Sequence, residues 1–155
     1  MELRPAREDD VDVLARIWHE GWWDAHPYFA PKLGAFRTLE SFRERIAQRI
    51  GSTVVAVRDD AVVGLAVLKQ DELEQLFVDR SARGKGVATP LIEDAERRVA
   101  AAGYPLIWLA VATENHVALR FYDKSGWQRM QAFDYPAETP SGIVPVPCYR
   151  YERAL

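Results

Sequence analysis

The sequence predicts an α/β fold of the α+β class, in which helices and strands alternate irregularly along one chain. Two observations lead to this prediction. First, β-branched runs at residues 53–59 and 61–69 are adjacent, which is typical of an antiparallel hairpin. Second, a strand at 72–79, a helix ending near Ala102 and a strand at 106–111 form a β-α-β unit. The two strands of such a unit run parallel, so the predicted sheet contains both strand directions.

The N-terminal third is predicted to be mainly helical. A short strand at 2–4 precedes a helix at 9–23, because apolar residues there recur at helical spacing. Prolines and a glycine predict a loop over 26–37. Thr38 is predicted to cap a second helix, which Gly51 ends. The recurring apolar residues of the first helix are Val11, Leu14, Trp18 and Trp22.

The C-terminal part is predicted to hold one short helix and two strands. The helix covers residues 115–124 and stops at Gly126. Strands are expected at 127–133 and 146–153. Because 136–147 holds four of the nine prolines, we expect a stiff loop between those strands.

Composition excludes several classes of protein. The chain has 155 residues and a formal net charge of −3, which disfavours nucleic acid as the main partner. One cysteine, Cys148, cannot form an internal disulfide, and no Cys/His cluster predicts a metal site. No signal-peptide segment and no membrane-spanning apolar run is present. We therefore expect a cytoplasmic single domain over 1–155, without a membrane partner.

A glycine-containing turn between a strand and a helix, RGKGVA at 83–88, is a candidate anion site. Its glycines allow the backbone to approach a ligand, and the free N–H groups that begin a helix attract a pyrophosphate. Arg83 and Lys85 add positive charge. The alternative is a plain turn with solvated basic residues. The spacing excludes a P-loop, and Pro90 near the place of a third glycine excludes a dinucleotide fingerprint.

The segment 83–88 resembles the Q/R-x-x-G-x-G/A signature of the GNAT N-acetyltransferases. Residues 115–127, NHVALRFYDKSGW, resemble that family's N-x-x-A-x-x-F-Y-x-x-x-G-F/W segment. Residues 74–79, EQLFVD, stand where its fourth strand lies. The similarity covers about residues 60–130, and the order of elements agrees. The resemblance implies a central, mostly antiparallel sheet with a splayed parallel pair, flanked by about four helices.

The resemblance also implies that acetyl-CoA is the acyl donor. Its pyrophosphate is expected on the N–H groups of the turn, and its pantetheine arm beside the strand at 72–79, paired with the main chain of Phe77 and Val78. Asn115 is expected to orient the site or to cap its helix. The residues expected to bind the cofactor are Leu76, Phe77, Val78, Arg83, Gly84, Lys85, Gly86, Val87, Ala88, Thr89 and Asn115.

Direct attack of an amine on the thioester, through a tetrahedral intermediate, is the implied reaction. Tyr122 is expected to protonate the leaving thiolate, although packing against the cofactor sulfur is the alternative. Glu74 is the expected base, with Glu72 as the weaker candidate and a chain of waters as another. Strand alternation groups Glu74 with Leu76, which leaves its direction open. A main-chain amide near Leu76 or Phe77 is expected to stabilise the oxyanion.

The acceptor pocket is expected around the first helix. Trp23, His26 and Tyr28 lie off the helical stripe and are the pocket candidates, whereas Trp18 and Trp22 are expected to pack in the core. The acceptor is a primary amine of a small molecule, an amino acid, an antibiotic or a protein. The alternative is a module that binds acyl-CoA without catalysis. Acyl donors longer than acetyl and a homodimer both agree with the sequence.

Pro90 is the one departure that concerns the cofactor site. It lacks an N–H and crowds the carbonyl of the preceding turn, so the helix predicted over 86–102 is expected to start late or to have a distorted first turn.

Overall fold

A computed structural model describes residues 1–155, which form seven strands and five helices around one mixed sheet. The predicted fold class, with its parallel pair of strands, is confirmed. None of the helices has the length and apolar content needed to cross a membrane. The elements are β1 (Glu2–Pro5), α1 (Val11–Ala25), α2 (Ala30–Leu33), α3 (Leu39–Ala47), β2 (Thr53–Arg58), β3 (Ala61–Lys69), β4 (Glu72–Val78), α4 (Ala88–Ala101), β5 (Leu106–Ala112), α5 (His116–Lys124), β6 (Gln128–Thr139) and β7 (Gly142–Ala154).

The sheet has the order β1-β2-β3-β4-β5-β7-β6, and its middle is incompletely paired. The parallel strands β4 and β5 pair at one position, Glu72 opposite Trp108. Beyond that position the two strands diverge, which leaves a gap in the centre of the sheet. The core is divided accordingly. One apolar cluster, which we call the α4 cluster, lies under α4 and α5. The other lies under α1 and α3.

A bulge in β4 decides which way its side chains point. Val67 of β3 lies opposite Gln75, but the next residue, Leu68, lies opposite Leu73. Glu74 is therefore an extra residue in β4, and the alternation of faces is broken there. Leu73 packs in the α4 cluster, whereas Glu74 turns to the face that carries α1 and α3. The expected grouping of Glu74 with Leu76 is wrong for this reason.

The prediction of a loop over 26–37 is wrong. Short helical turns fill it, namely a 3₁₀ turn at Pro27–Phe29, then α2, then a 3₁₀ turn at Gly34–Phe36. Pro27 and Pro31 lie in the first turns of helical segments, where a backbone N–H has no intrahelical partner and its loss costs little.

The predicted loop over 136–147 is also wrong, because β6 and β7 form one long hairpin through it. The carbonyl of Pro147 accepts a hydrogen bond from Thr113 N at 3.0 Å, so this residue's backbone faces the β5 side, just past the end of β5. Pro145 has the same orientation, since it lies two residues away on the strand. Pro136 lies opposite Pro145 on β6, with its nitrogen toward the open edge. The missing N–H groups are therefore not needed by the sheet.

The helix predicted over 86–102 starts late, as expected. Helix α4 begins at Ala88 rather than Gly86, and Pro90 is its third residue. The first turn of a helix leaves its N–H groups unpaired, so a proline fits there. Thr89 is helical despite preceding a proline.

Candidate active site

A cavity of about 210 Å³ lies on the α1 face of the sheet, between α1, α3, β4 and the β6–β7 hairpin. We call it the α1 cavity. Its walls are partly apolar and partly charged. The larger apolar side chains that line it are Trp18, Trp22, Phe29, Leu33, Val146 and Cys148. Trp18 and Trp22 thus serve both the core and the cavity wall.

Two carboxylates of β4 line this cavity. Glu72 is 6% exposed, and its Oε2 accepts a hydrogen bond of 2.6 Å from the Tyr135 hydroxyl. Burial raises the pKa of Glu72 above its usual range, although the Tyr135 hydrogen bond opposes that effect. The Oε1 of Glu74 accepts a hydrogen bond of 2.6 Å from Arg49 Nε. Both carboxylates share one face of β4 because they are two residues apart on the strand.

His26 is the predicted pocket residue that lines the cavity. Its Nδ1 lies 3.1 Å from the Trp22 carbonyl oxygen, which can only accept, so Nδ1 carries the proton. Burial lowers the pKa of His26 to about 4, and nearby Arg37 also lowers it. The ring is therefore neutral at pH 7, and Nε2 is available as an acceptor.

Trp23 and Tyr28 do not line the cavity. The Trp23 indole N–H donates to the Arg37 carbonyl at 2.9 Å, which directs the ring toward the chain that follows α2. The Tyr28 ring packs against Phe29 with a centroid separation of 4.6 Å.

The 83–89 turn carries free backbone donors. Gly84 and Gly86 have φ values of 72° and 78°, and a Cβ at either would meet open space. None of the N–H groups of residues 84–87 donates to a backbone acceptor within the chain. The Arg83 guanidinium is held by Asp24 of α1 at 2.9 Å and by the Val78 carbonyl at 3.2 Å. The Arg83 and Lys85 side chains are both exposed, and that of Lys85 forms no hydrogen bond or ion pair within the chain.

One edge of β4 is open between this turn and the cavity. Asp79 N donates to Val63 O at 2.8 Å, which fixes the alternation of the β3–β4 ladder. By that alternation the main chain of Phe77 faces β3, and the main chain of Leu76 and Val78 faces the gap. Main-chain pairing of a ligand with Phe77, as expected from the sequence, is therefore unavailable. The Leu76 and Val78 N–H groups are the available donors.

Tyr122 lies on α5, and Asn115 precedes that helix. Tyr122 packs in the α4 cluster against Trp127 and Tyr151, with centroid separations of 5.7 Å each. Its hydroxyl forms no hydrogen bond within the chain, and burial raises the pKa of Tyr122. Asn115 caps α5, since its Oδ1 accepts from Ala118 N at 3.3 Å. Tyr122 does not line the α1 cavity and belongs to the apolar cluster on the other face of the sheet.

Arginines of the cavity are the functional candidates that the sequence analysis missed. Arg37, Arg45 and Arg49 line the wall that faces the β4 carboxylates. The spacing of four between Arg45 and Arg49 could have indicated a basic pair on one helical face. No local pattern singled out Arg37, because the helical turns before it were not predicted.

The geometry fits a long ligand with phosphate at one end. Free N–H groups at residues 84–87 can bind a pyrophosphate, and the open edge of β4 can pair with an extended arm. The gap between β4 and β5 then joins that arm to the two carboxylates of the α1 cavity. Such an arrangement can bring a reactive group at the end of the arm to a second substrate in the cavity.

Comparisons with known proteins agree with this geometry. The profile of the acetyltransferase (GNAT) family matches residues 15–127. The chain is 25% identical over 129 residues to the peptidyl-lysine N-acetyltransferase YjaB of Salmonella typhimurium, covering 83% of each protein. A GCN5-related N-acetyltransferase structure from Rhodopseudomonas palustris superposes with a TM-score of 0.76 at 21% identity, covering 99% of this chain and 95% of that one. The structure of PaiA N-acetyltransferase from Thermoplasma acidophilum, in complex with coenzyme A, superposes with a TM-score of 0.69 at 18% identity. The match covers 99% of this chain and 98% of that one.

The raised pKa of Glu72 predicts a specific pH dependence of stability. A carboxyl whose pKa is higher in the folded state stabilises the fold below its unfolded pKa, and that contribution is lost as pH rises through the folded pKa. As the pH rises from 4 to 7, we expect the free energy of unfolding of Glu72→Gln to increase relative to that of the unmodified protein, measured by urea unfolding. Glu93→Gln, at an exposed site, controls for the loss of one charge. A constant difference between the two proteins across this range would contradict the assignment.

Proposed function

Because the chain belongs to the GNAT acetyltransferase family, whose enzymes use acetyl-CoA as the acyl donor, we propose that it transfers the acetyl group to a primary amine bound in the α1 cavity. The observation that carries the proposal is the course of β4. Its open edge begins at the free N–H groups of residues 84–87 and leads to Glu72 and Glu74. The relative named a peptidyl-lysine N-acetyltransferase supports an amine as acceptor.

Acetyl-CoA supplies an activated acetyl thioester, and the chain's own groups bind and orient it. The N–H groups of residues 84–89 hold the pyrophosphate, and Lys85 adds charge at the surface. Arg83 acts through Asp24 and Val78, fixing the turn against α1 rather than contacting phosphate itself. The Leu76 N–H faces the gap and stabilises negative charge on the acyl oxygen.

The amine must lose a proton before it attacks, and Glu72 is the base in this proposal. Its raised pKa makes it a better proton acceptor at neutral pH than an ordinary carboxylate. The Tyr135 hydroxyl fixes Oε2, so Oε1 is free to face the amine. Glu74, the base expected from the sequence, is held by Arg49 and maintains the charged wall of the cavity.

The departing thiolate requires a proton, and Tyr122 is the donor in this proposal. Its hydroxyl has no partner within the chain, so it is free to hydrogen-bond a sulfur in the gap. The phenol is protonated at neutral pH, and the raised pKa that burial causes makes it a weaker acid than a free tyrosine.

Binding of acetyl-CoA is the first test. We expect calorimetry to detect acetyl-CoA and desulfo-CoA but not ATP. Gly86→Ala should weaken binding about 10-fold, because an added Cβ obstructs the backbone donors and strains a left-handed residue. Gly103→Ala is the matched control, since Gly103 has a φ of 93° and equally open surroundings at the far end of α4. Equal losses in both variants, or no binding at all, would contradict the proposed cofactor site.

Tyr122→Phe should lower kcat roughly 10- to 100-fold, because the thiolate then leaves without a proton donor. The Kd for acetyl-CoA should change by less than about three-fold, since the ring still packs in place. Tyr104→Phe is the control. It also removes a phenol hydroxyl, but Tyr104 lies just before the N-terminal end of β5, whereas α5 follows the C-terminal end. Release of free thiol measures the rate. An unchanged kcat removes the acid role from Tyr122, and binding without turnover for any amine indicates a non-catalytic module.

Glu72→Gln should lower kcat/KM by a factor of about 10 to 100 and abolish its rise with pH on the acidic side. Glu74→Gln should have a smaller effect and keep that rise, because the base is still present. Both variants are compared across pH 5–9 with one amine. If Glu72→Gln keeps the pH profile of the unmodified enzyme, a water chain replaces Glu72 as the base.

A further inference from the structure

Two arginines of the α1 cavity have no counter-ion. Arg37 is 4% exposed, and its Nε is buried without a hydrogen-bond partner. Its Nη2 donates to the Glu138 carbonyl at 3.2 Å. Arg45 stacks its guanidinium 4.4 Å from the centroid of the Trp18 ring, and its Nη1 is buried without a partner. Neither guanidinium is among the ion pairs of the structure, whereas the neighbouring Arg49 binds Glu74.

This arrangement differs from that of the other arginines. Eleven arginines form ion pairs with carboxylates, most of them at the surface. Of the five that form none, Arg7 and Arg120 are exposed, and Arg58 donates to the Lys85 carbonyl. Arg37 and Arg45 are thus the two that line the α1 cavity and have no carboxylate partner.

Holding these two cations together is unfavourable in the empty cavity. Burial lowers the pKa of Arg45 to about 9, and repulsion from Arg37 and Arg49 adds to that effect. Burial also lowers the pKa of Arg37. A buried charge requires an ionic partner, and the planar guanidinium is suited to two parallel hydrogen bonds with a carboxylate. Because both arginines line the cavity, an anionic group of a ligand bound there can supply the missing partner.

The charge balance of the cavity indicates which anion fits. Arg37, Arg45, Arg49 and Lys69 face three carboxylates, those of Glu72, Glu74 and Glu138, which leaves an excess of one positive charge. A carboxylate on the acceptor offsets the positive charge that its protonated amine brings, so the excess does not grow. A phosphate dianion would reverse the balance. The volume of about 210 Å³, with Trp18, Trp22 and Phe29 as walls, admits a molecule of amino-acid size.

We propose that the acceptor is a small amine that also carries a carboxylate, an amino-acid-like molecule whose carboxylate is bound by Arg37 and Arg45. This inference rests on the proposed function and names its acceptor class. The amine then lies toward Glu72 and Glu74, which line the same cavity. A lysine side chain on a protein surface has no carboxylate to offer these arginines.

The test compares free amino acids with their carboxamides, which keep the amine and lose the negative charge. Binding is measured by calorimetry on the free and the CoA-saturated protein, and acetyl transfer by thiol release. We expect at least one amino acid to bind, and its amide to bind and react about 100-fold more weakly, because buried guanidinium donors are then left unpaired. A blocked lysine, acetylated on its α-amine and amidated, stands for a peptide acceptor and should be the poorest substrate.

Arg45→Gln should reduce the preference for acid over amide at least about 10-fold, because one of the two guanidinium partners of the carboxylate is lost. Arg37→Gln is the second variant, in case the first is poorly folded. Arg43→Gln is the matched control, since Arg43 lies on the same helix, pairs with Asp12 at the surface and does not line the cavity. It should leave the preference intact.

Equal affinity for acids and amides, preference for the blocked lysine, or no binding of any amino acid at millimolar concentration would overturn the inference. Those outcomes are compatible with acetyl transfer to another amine, so the proposed function survives them. Absence of acetyl-CoA binding contradicts the proposed function instead. The calorimetric comparison on the free protein still decides whether Arg37 and Arg45 bind a carboxylate.

Discussion

The single pairing position between β4 and β5 is the constraint on which the site depends. At Glu72 and Trp108 the strands are fastened, since Trp108 N donates to the Asp71 carbonyl at 3.1 Å and the indole N–H to its carboxylate at 3.2 Å. Beyond this joint the backbone groups of β4 lack a neighbouring strand. Unpaired groups in the centre of a sheet are costly unless water or a ligand satisfies them. The fold thus keeps a row of donors free where a substrate can use them.

Two further features determine which side chains of β4 lie on the α1 face of the sheet. Gly21 lets α1 lie close to the sheet, because a Cβ there would overlap the Phe77 ring, and Phe77 is thereby fixed on the α1 face. The bulge at Glu74 adds Gln75 and Phe77 to the face on which Glu72 and Glu74 already lie. A regular strand would have placed every second residue there and shifted Phe77 to the α4 side. Helix packing and strand irregularity therefore determine together what the cavity contains.

Much of the fold followed from local sequence. The hairpin turn at Asp59 and Asp60, both at positive φ, and the Thr38 cap, which accepts from Ser41 N at 3.1 Å, arise from residues a few positions apart. The bulge does not, because its signal is a mismatch between two strands. The proline-containing strands were missed since proline argues against a strand until the pairing partner is known. Arg37 and Arg45 were missed because their lack of a counter-ion is a property of the packed cavity.

The prolines of the β6–β7 hairpin affect whether strands of other chains can pair with this sheet. The hairpin extends past the end of β5 and contributes Pro136, Glu138 and Val146 to the wall of the α1 cavity. A bare strand edge offers a ladder of donors on which a foreign chain can assemble. Pro136 interrupts that ladder on β6, and Pro145 and Pro147 interrupt it on β7. Because proline has no backbone N–H, these residues disfavour the addition of a foreign strand, and thus aggregation, beside the cavity.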